Sequence, residues 1–205
     1  MRFGTPRNVG SDCYLFSVKN SDPEKARQAS IDAFLEKLNG GQRPDQSPYL
    51  PENTWDEIKP GLWLGGTHDA HDMRLASIPD ELPAIGREDF DTVITMYAWA
   101  QPVDWFVKEI RFGIYDGDMS DFETSALHDI VKLAHSDWRA GKKVLIRCQA
   151  GINRSGLVMA LVLIRDGMSA AKAIELMRDK RARSVLRNET FEKFLLSIKP
   201  GDWRA

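Results

Sequence analysis

The chain has 205 residues, 28 Lys+Arg against 30 Asp+Glu, and 2 Cys. That length suits one domain with an appended arm, and 42 % apolar with 28 % charged residues excludes a fibrous or wholly disordered chain. A net charge of −2 supplies no basic field for a polyanion, so a dedicated nucleic-acid binder is disfavoured, and two Cys far apart cannot staple a disulfide scaffold.

Met1 to Arg7 carries no apolar core of a secretory signal, and the longest apolar run, from Gly156 to Ile164, is too short to cross a bilayer. The expectation is a soluble cytoplasmic protein with no membrane partner. Residues 1–54 read as an arm. Cys13-Tyr14-Leu15-Phe16 is an edge strand or an ordered turn. Ser21-Asp22-Pro23-Glu24 is a capping box that starts a helix with Ile31, Phe34, Leu35 and Leu38 on one face, and Gly40-Gly41 stops it. Pro44, Pro48 and Pro51 mark a linker.

The main domain is expected over residues 55–200. Pro60 to Gly66 reads as a short strand ending in a Gly turn, and 67–90 as mixed loop. Thr92 to Tyr97 is apolar on both faces and reads as a buried strand; Glu109 to Ile114 is another. Glu123 to Ala140 has helical periodicity through Leu127, Ile130, Val131, Ala134 and Trp138. Val144-Leu145-Ile146 is a strand core, and Gly156 to Arg165 an apolar, hence buried, helix. Ser169 to Arg181 and Glu189 to Ile198 read as amphipathic helices. Alternating strands and helices predict an α/β fold with a central, mostly parallel twisted sheet flanked by helices.

The chemistry concentrates in Cys148-Gln149-Ala150-Gly151-Ile152-Asn153-Arg154-Ser155-Gly156. A Cys stands at the carboxyl end of a buried strand, and six residues on an Arg opens a buried helix. An α/β sheet places its ligands there. A loop this short turns successive backbone N–H groups inward as an anion nest, and the helix N-terminus adds its positive end. The field that attracts a phosphate also favours a thiolate over a thiol. Arg154 presents a planar fork matched to two phosphate oxygens. Ser155 can donate a hydrogen bond to the sulfur.

This segment resembles the Cys-x5-Arg-Ser/Thr phosphate loop of protein tyrosine phosphatases, and looks most like the small dual-specificity branch. Ile58-Lys59-Pro60-Gly61-Leu62-Trp63-Leu64-Gly65 looks like that branch's opening strand. Arg111-Phe112-Gly113-Ile114 leading to Asp118 looks like its general-acid loop, and Lys180-Arg181 through Asn188, Phe191 and Leu195 like its closing helices. The resemblance implies a cysteine-dependent phosphatase of phosphoproteins, without cofactor or metal. It implies Cys148 as nucleophile, Arg154 with the backbone of Gln149, Ala150, Gly151, Ile152 and Asn153 as the phosphate site, and Ser155 as an aid to thiolate departure. A positioned carboxylic acid must protonate the leaving group. Asp116, Asp118 and Asp121 share the loop that precedes the nucleophile, and the match to the family's preceding strand favours Asp118.

The family usually has His before the nucleophile, where this chain has Arg147. The loop interior has no Lys, which argues against phosphoinositide substrates. Asn153 directly before Arg154 also occurs in the family's RNA 5′-triphosphatase branch, which is one alternative; a non-catalytic phosphate-binding module is another. Four further features are weighed. His68 and His71 lack further ligands for a metal. Arg178, Arg181, Arg183 and Arg187 read as a solvated helix terminus. Trp63, Trp99 and Trp105 read as core by default, with shaping of the pocket mouth as the alternative, and Cys13 has no role.

Overall fold

Strand β5 (Val144–Arg147) is buried at every residue and lies in the middle of a five-stranded sheet. The computed structural model describes residues 51, 53–67, 84–119, 124–199 and 201–203. The expected arm, with its helix and Cys13, and His68, His71 and Asp121 lie outside the described residues.

The other strands are β1 (Trp55–Lys59), β2 (Leu62–Gly65), β3 (Thr92–Thr95) and β4 (Lys108–Arg111), in the order β1-β2-β5-β3-β4. β2, β3 and β4 run parallel to their neighbours in the core of the sheet, and β1 pairs antiparallel with β2. The sheet is therefore mixed but mostly parallel. Where the sequence suggests one strand at Pro60–Gly66, the structure has a hairpin turning at Gly61, whose φ of 78° suits glycine. β1 carries Asp56, Glu57 and Lys59, and such charge suits an exposed edge.

Four helices follow: α1 (Thr124–Arg139), α2 (Arg154–Arg165), α3 (Ala170–Lys180) and α4 (Glu189–Ser197). α2 is buried from Arg154 to Ile164, as its apolar run requires, and packs against α1, α3 and α4. Val144 and Ile146 on β5, and Cys148 just after it, join this main core, while Leu145 joins a second cluster with Ile85, Phe90, Val93 and Val107. The alternation fixes which β5 side chains face the helices. Among the described residues, no helix is long and apolar enough to cross a membrane.

Asp137 ties α1 to the opposite, amino-terminal edge of the sheet. Its carboxylate accepts from Thr92 Oγ1 at 2.8 Å, Lys108 Nζ at 2.9 Å and Lys142 Nζ at 2.8 Å. Burial pushes this carboxyl up, but the donors from Lys142, Lys108 and Thr92 outweigh it and hold the pKa at about 2, against an ordinary 3.8. A depressed folded pKa stabilises above the unfolded pKa, and the gain is lost as pH falls through the folded one. Asp137→Asn should therefore cost about 2 kcal/mol of unfolding free energy at neutral pH. In denaturant titrations that difference should shrink between about pH 4 and pH 2; a difference constant across that window would refute the linkage.

Candidate active site

Cys148 follows the last residue of β5 and is buried, with its Sγ 3.1 Å from Ser155 Oγ on the first turn of α2. Its amide donates to Gly65 O at 3.2 Å, so the end of β2 carries β5 into the loop. Ser155 Oγ also reaches Gly65 O at 3.4 Å. The three parallel strands β2, β5 and β3 all end on this side, which makes it the carboxyl edge of the sheet.

Every carbonyl from Gln149 to Asn153 is held from outside the loop or by the helix that follows. Gln149 O accepts from Thr67 N at 2.9 Å and Thr67 Oγ1 at 3.3 Å. Ala150 O and Gly151 O accept from Arg181 Nη2 and Nε at 3.3 and 2.7 Å. Ile152 O accepts from Leu186 N at 3.1 Å, and Asn153 O from Leu157 N at 2.8 Å. Among the described residues, by contrast, no backbone amide from Gln149 to Ser155 donates a hydrogen bond. The loop spends its acceptors outward and turns its donors in, the polarity of an anion nest. Gly151 is at φ 68°, and a Cβ there would collide with Arg181 and the Gly65 backbone.

The N-terminus of α2 is open in the same sense. Its capping position is Asn153, whose side chain makes no cap bond. That side chain is used elsewhere: Nδ2 donates to Asp116 Oδ2 at 3.0 Å, and Oδ1 accepts from Asn188 N at 3.0 Å. Asn188 caps α4 through Oδ1 and donates Nδ2 to Asp116 Oδ1 at 2.9 Å and Gly117 O at 2.8 Å. Asp116 is thus held against the phosphate loop by two side-chain amides. Asp118, favoured by the sequence, lies two residues on and is exposed.

Arg154 is buried and its guanidinium lies over the Tyr97 ring, 5.2 Å from the centroid. Its Nε is buried without a hydrogen-bond partner. Arg147, in contrast, points to the face opposite Cys148. It donates to Thr95 Oγ1 at 2.9 Å, Gln101 O at 2.6 Å and Glu109 Oε1 at 3.0 Å, with 4 % of its side chain exposed. Arg147 is a brace beneath the loop.

Two expectations are corrected. Arg181 belongs to no solvated terminus: its side chain is 1 % exposed and pairs with Asp56 on β1 while holding the loop carbonyls. Arg178 is likewise engaged, with Val185 O and Glu192. Trp63 packs edge-on against Phe90, but Trp99 is 40 % and Trp105 99 % exposed, so neither of these is core. Sequence periodicity marks α3 as ending at Arg181, and gives no sign that its partner lies on the far hairpin.

The family model for the dual specificity phosphatase catalytic domain matches residues 102–199. No curated protein sequence gives a match. Among solved structures, human DUSP28 is similar with TM-score 0.56 and 24 % identity, over 73 % of this chain and 94 % of that one. A mouse putative dual specificity phosphatase complexed with zinc tungstate gives 0.53 and 21 %, over 76 % and 89 %. OH1 from the Orf virus, described as a tyrosine phosphatase with triple substrate specificity, gives 0.56 and 18 %, over 85 % and 99 %.

The Arg181 clamp can be tested by itself. Arg181→Met takes the guanidinium from Asp56 Oδ2 and from two loop carbonyls, and should lower the unfolding free energy by about 3 kcal/mol. Urea titration at neutral pH measures it; a loss under about 1 kcal/mol would show that water replaces the clamp without cost.

Proposed function

Since the domain match and the fold support a protein phosphatase of the dual-specificity type within the protein tyrosine phosphatase superfamily, we propose that this chain hydrolyses phosphomonoesters on proteins through a phosphocysteine. The observation that carries this reading is the inward-facing set of loop amides around Cys148 and Arg154. Phosphotyrosine is the primary substrate, with phosphoserine and phosphothreonine in range.

In the first step Cys148 Sγ attacks phosphorus, the S–P bond forms and the ester P–O bond breaks. The loop amides and the Arg154 fork bind the equatorial oxygens, most strongly as charge builds in the transition state. The leaving oxygen takes a proton from a carboxylic acid. Both oxygens of Asp116 accept from side-chain amides, an arrangement that favours the ionised carboxylate. We assign the acid role to Asp118, two residues on in the same loop and exposed to an incoming ester. In the second step a water attacks phosphorus and gives its proton to the same carboxylate; the S–P bond breaks and phosphate departs. Ser155 Oγ, 3.1 Å from the sulfur, donates to the departing thiolate.

The loop interior of Gln149, Ala150, Ile152 and Asn153 carries no cation for a second phosphate, which speaks against phosphoinositides. Asn153, the residue that suggested an RNA 5′-triphosphatase, spends its side chain on Asp116 and Asn188 and so points to no RNA role. The chemistry needs a reducing compartment, and the cytoplasm is the proposed location.

Under reducing conditions the wild type should hydrolyse an aryl phosphate, and Cys148→Ser should lose activity by about a thousandfold or more. Asp118→Asn should lower kcat about a hundredfold and remove the basic limb of the pH–rate profile. Asp116→Asn should keep that limb, with a smaller fall in kcat. An inactive wild type refutes the enzyme, and loss of the basic limb in Asp116→Asn moves the acid to that residue. Phosphate release from 5′-triphosphorylated RNA with none from phosphopeptides would select the other substrate.

A further inference from the structure

Three buried arginines surround the phosphate loop, and they are held in two different ways. Arg147 and Arg181 spend their N–H groups on carbonyls, a hydroxyl and two carboxylates. Arg154 is 7 % exposed, yet among the described residues its guanidinium has no hydrogen-bond or ion-pair partner. What faces it is the ring of Tyr97, 5.2 Å from centroid to Cζ.

Tyr97 is placed for this by the sheet. Thr95 on β3 stands opposite Arg147 on β5, so the chain two residues further on runs beside the start of the loop. Tyr97 is 1 % exposed and braced edge-on by Trp99, with centroids 5.5 Å apart. A carboxylate in this position would take two donors from the guanidinium fork. A ring face attracts the same cation through its quadrupole and takes none. An unpaired buried cation is otherwise costly, so the ring also offsets the burial that Arg154 must accept.

We infer that Tyr97 is a positioning residue that holds Arg154 by its π face, so that the whole fork stays available to a phosphate oxyanion. The inference rests on the phosphatase reading, but its test reads anion binding as well as turnover. Phenylalanine and its progressively fluorinated analogues, introduced at position 97 of the full chain, keep the ring's shape while draining its quadrupole. Inorganic phosphate affinity, kcat/KM for an aryl phosphate and the thermal midpoint are measured across the series.

Tyr97→Phe should stay within about twofold of wild type in phosphate Kd. Fluorination should raise that Kd stepwise, to about tenfold for the pentafluoro ring, with a parallel fall in kcat/KM and a constant thermal midpoint. In an Arg154→Met background the phosphate Kd should not respond to fluorination. A flat Kd across the series with Arg154 present overturns the inference, and so does a slope that persists without it. Phosphate binding with no turnover by the wild type would instead refute the phosphatase reading and leave the ring's role measurable.

Discussion

Everything at the site depends on the direction in which five consecutive carbonyls point. A peptide unit carries a donor and an acceptor on opposite sides, so fixing one fixes the other. By holding the oxygens of residues 149–153 at the back, Thr67, Arg181, Leu186 and the first turn of α2 force the amides to the front. The nest is thereby organised before any anion arrives, and binding does not have to order it. Some of the holding is itself strained. Leu186, which anchors Ile152 O, sits at φ 60°, a conformation costly to a side chain with a Cβ. It is kept there by burial and by the Arg178 bonds to its carbonyl and to that of Val185.

The loop that carries Asp116 is set by the same economy of parts. Asn188 starts α4 and orients Asp116; Asn153 starts α2 and orients both. Two helix N-termini and one loop therefore share a single amide network. One N-terminus is closed by its cap. The other is left open because its capping side chain is occupied elsewhere, which leaves the first amides of α2 free to donate.

The strand-loop-helix unit was legible because strand, spacing and apolar helix are all local, and Cys148, Ser155 and Arg154 follow from it. Other features depend on distant partners. Arg147 lies on a strand buried on both faces, so alternation alone could not say which cluster it joins. The burial of Arg181 is decided by Asp56, more than a hundred residues away. Tyr97 looks like the end of an apolar strand until β3 is placed beside β5. Strand β1 was hidden by its charges, which are those of an edge. The choice between Asp116 and Asp118 turns on two asparagines whose relation to the loop no spacing announces.

The hairpin of β1 and β2 has a consequence for where this chain can be cut. The family match begins at residue 102 and spans Cys148, Arg154, Ser155 and Asp118. Gly65, Thr67, Asp56 and Tyr97 all precede it, and they supply the strand end, the clamp and the ring that shape the loop. A chain trimmed to the matched segment would own the full set of reactive groups and lack the frame that makes them a site. The smallest unit of inheritance for this chemistry is therefore the sheet with its opening hairpin, and recombination within it would separate reagents from their mould.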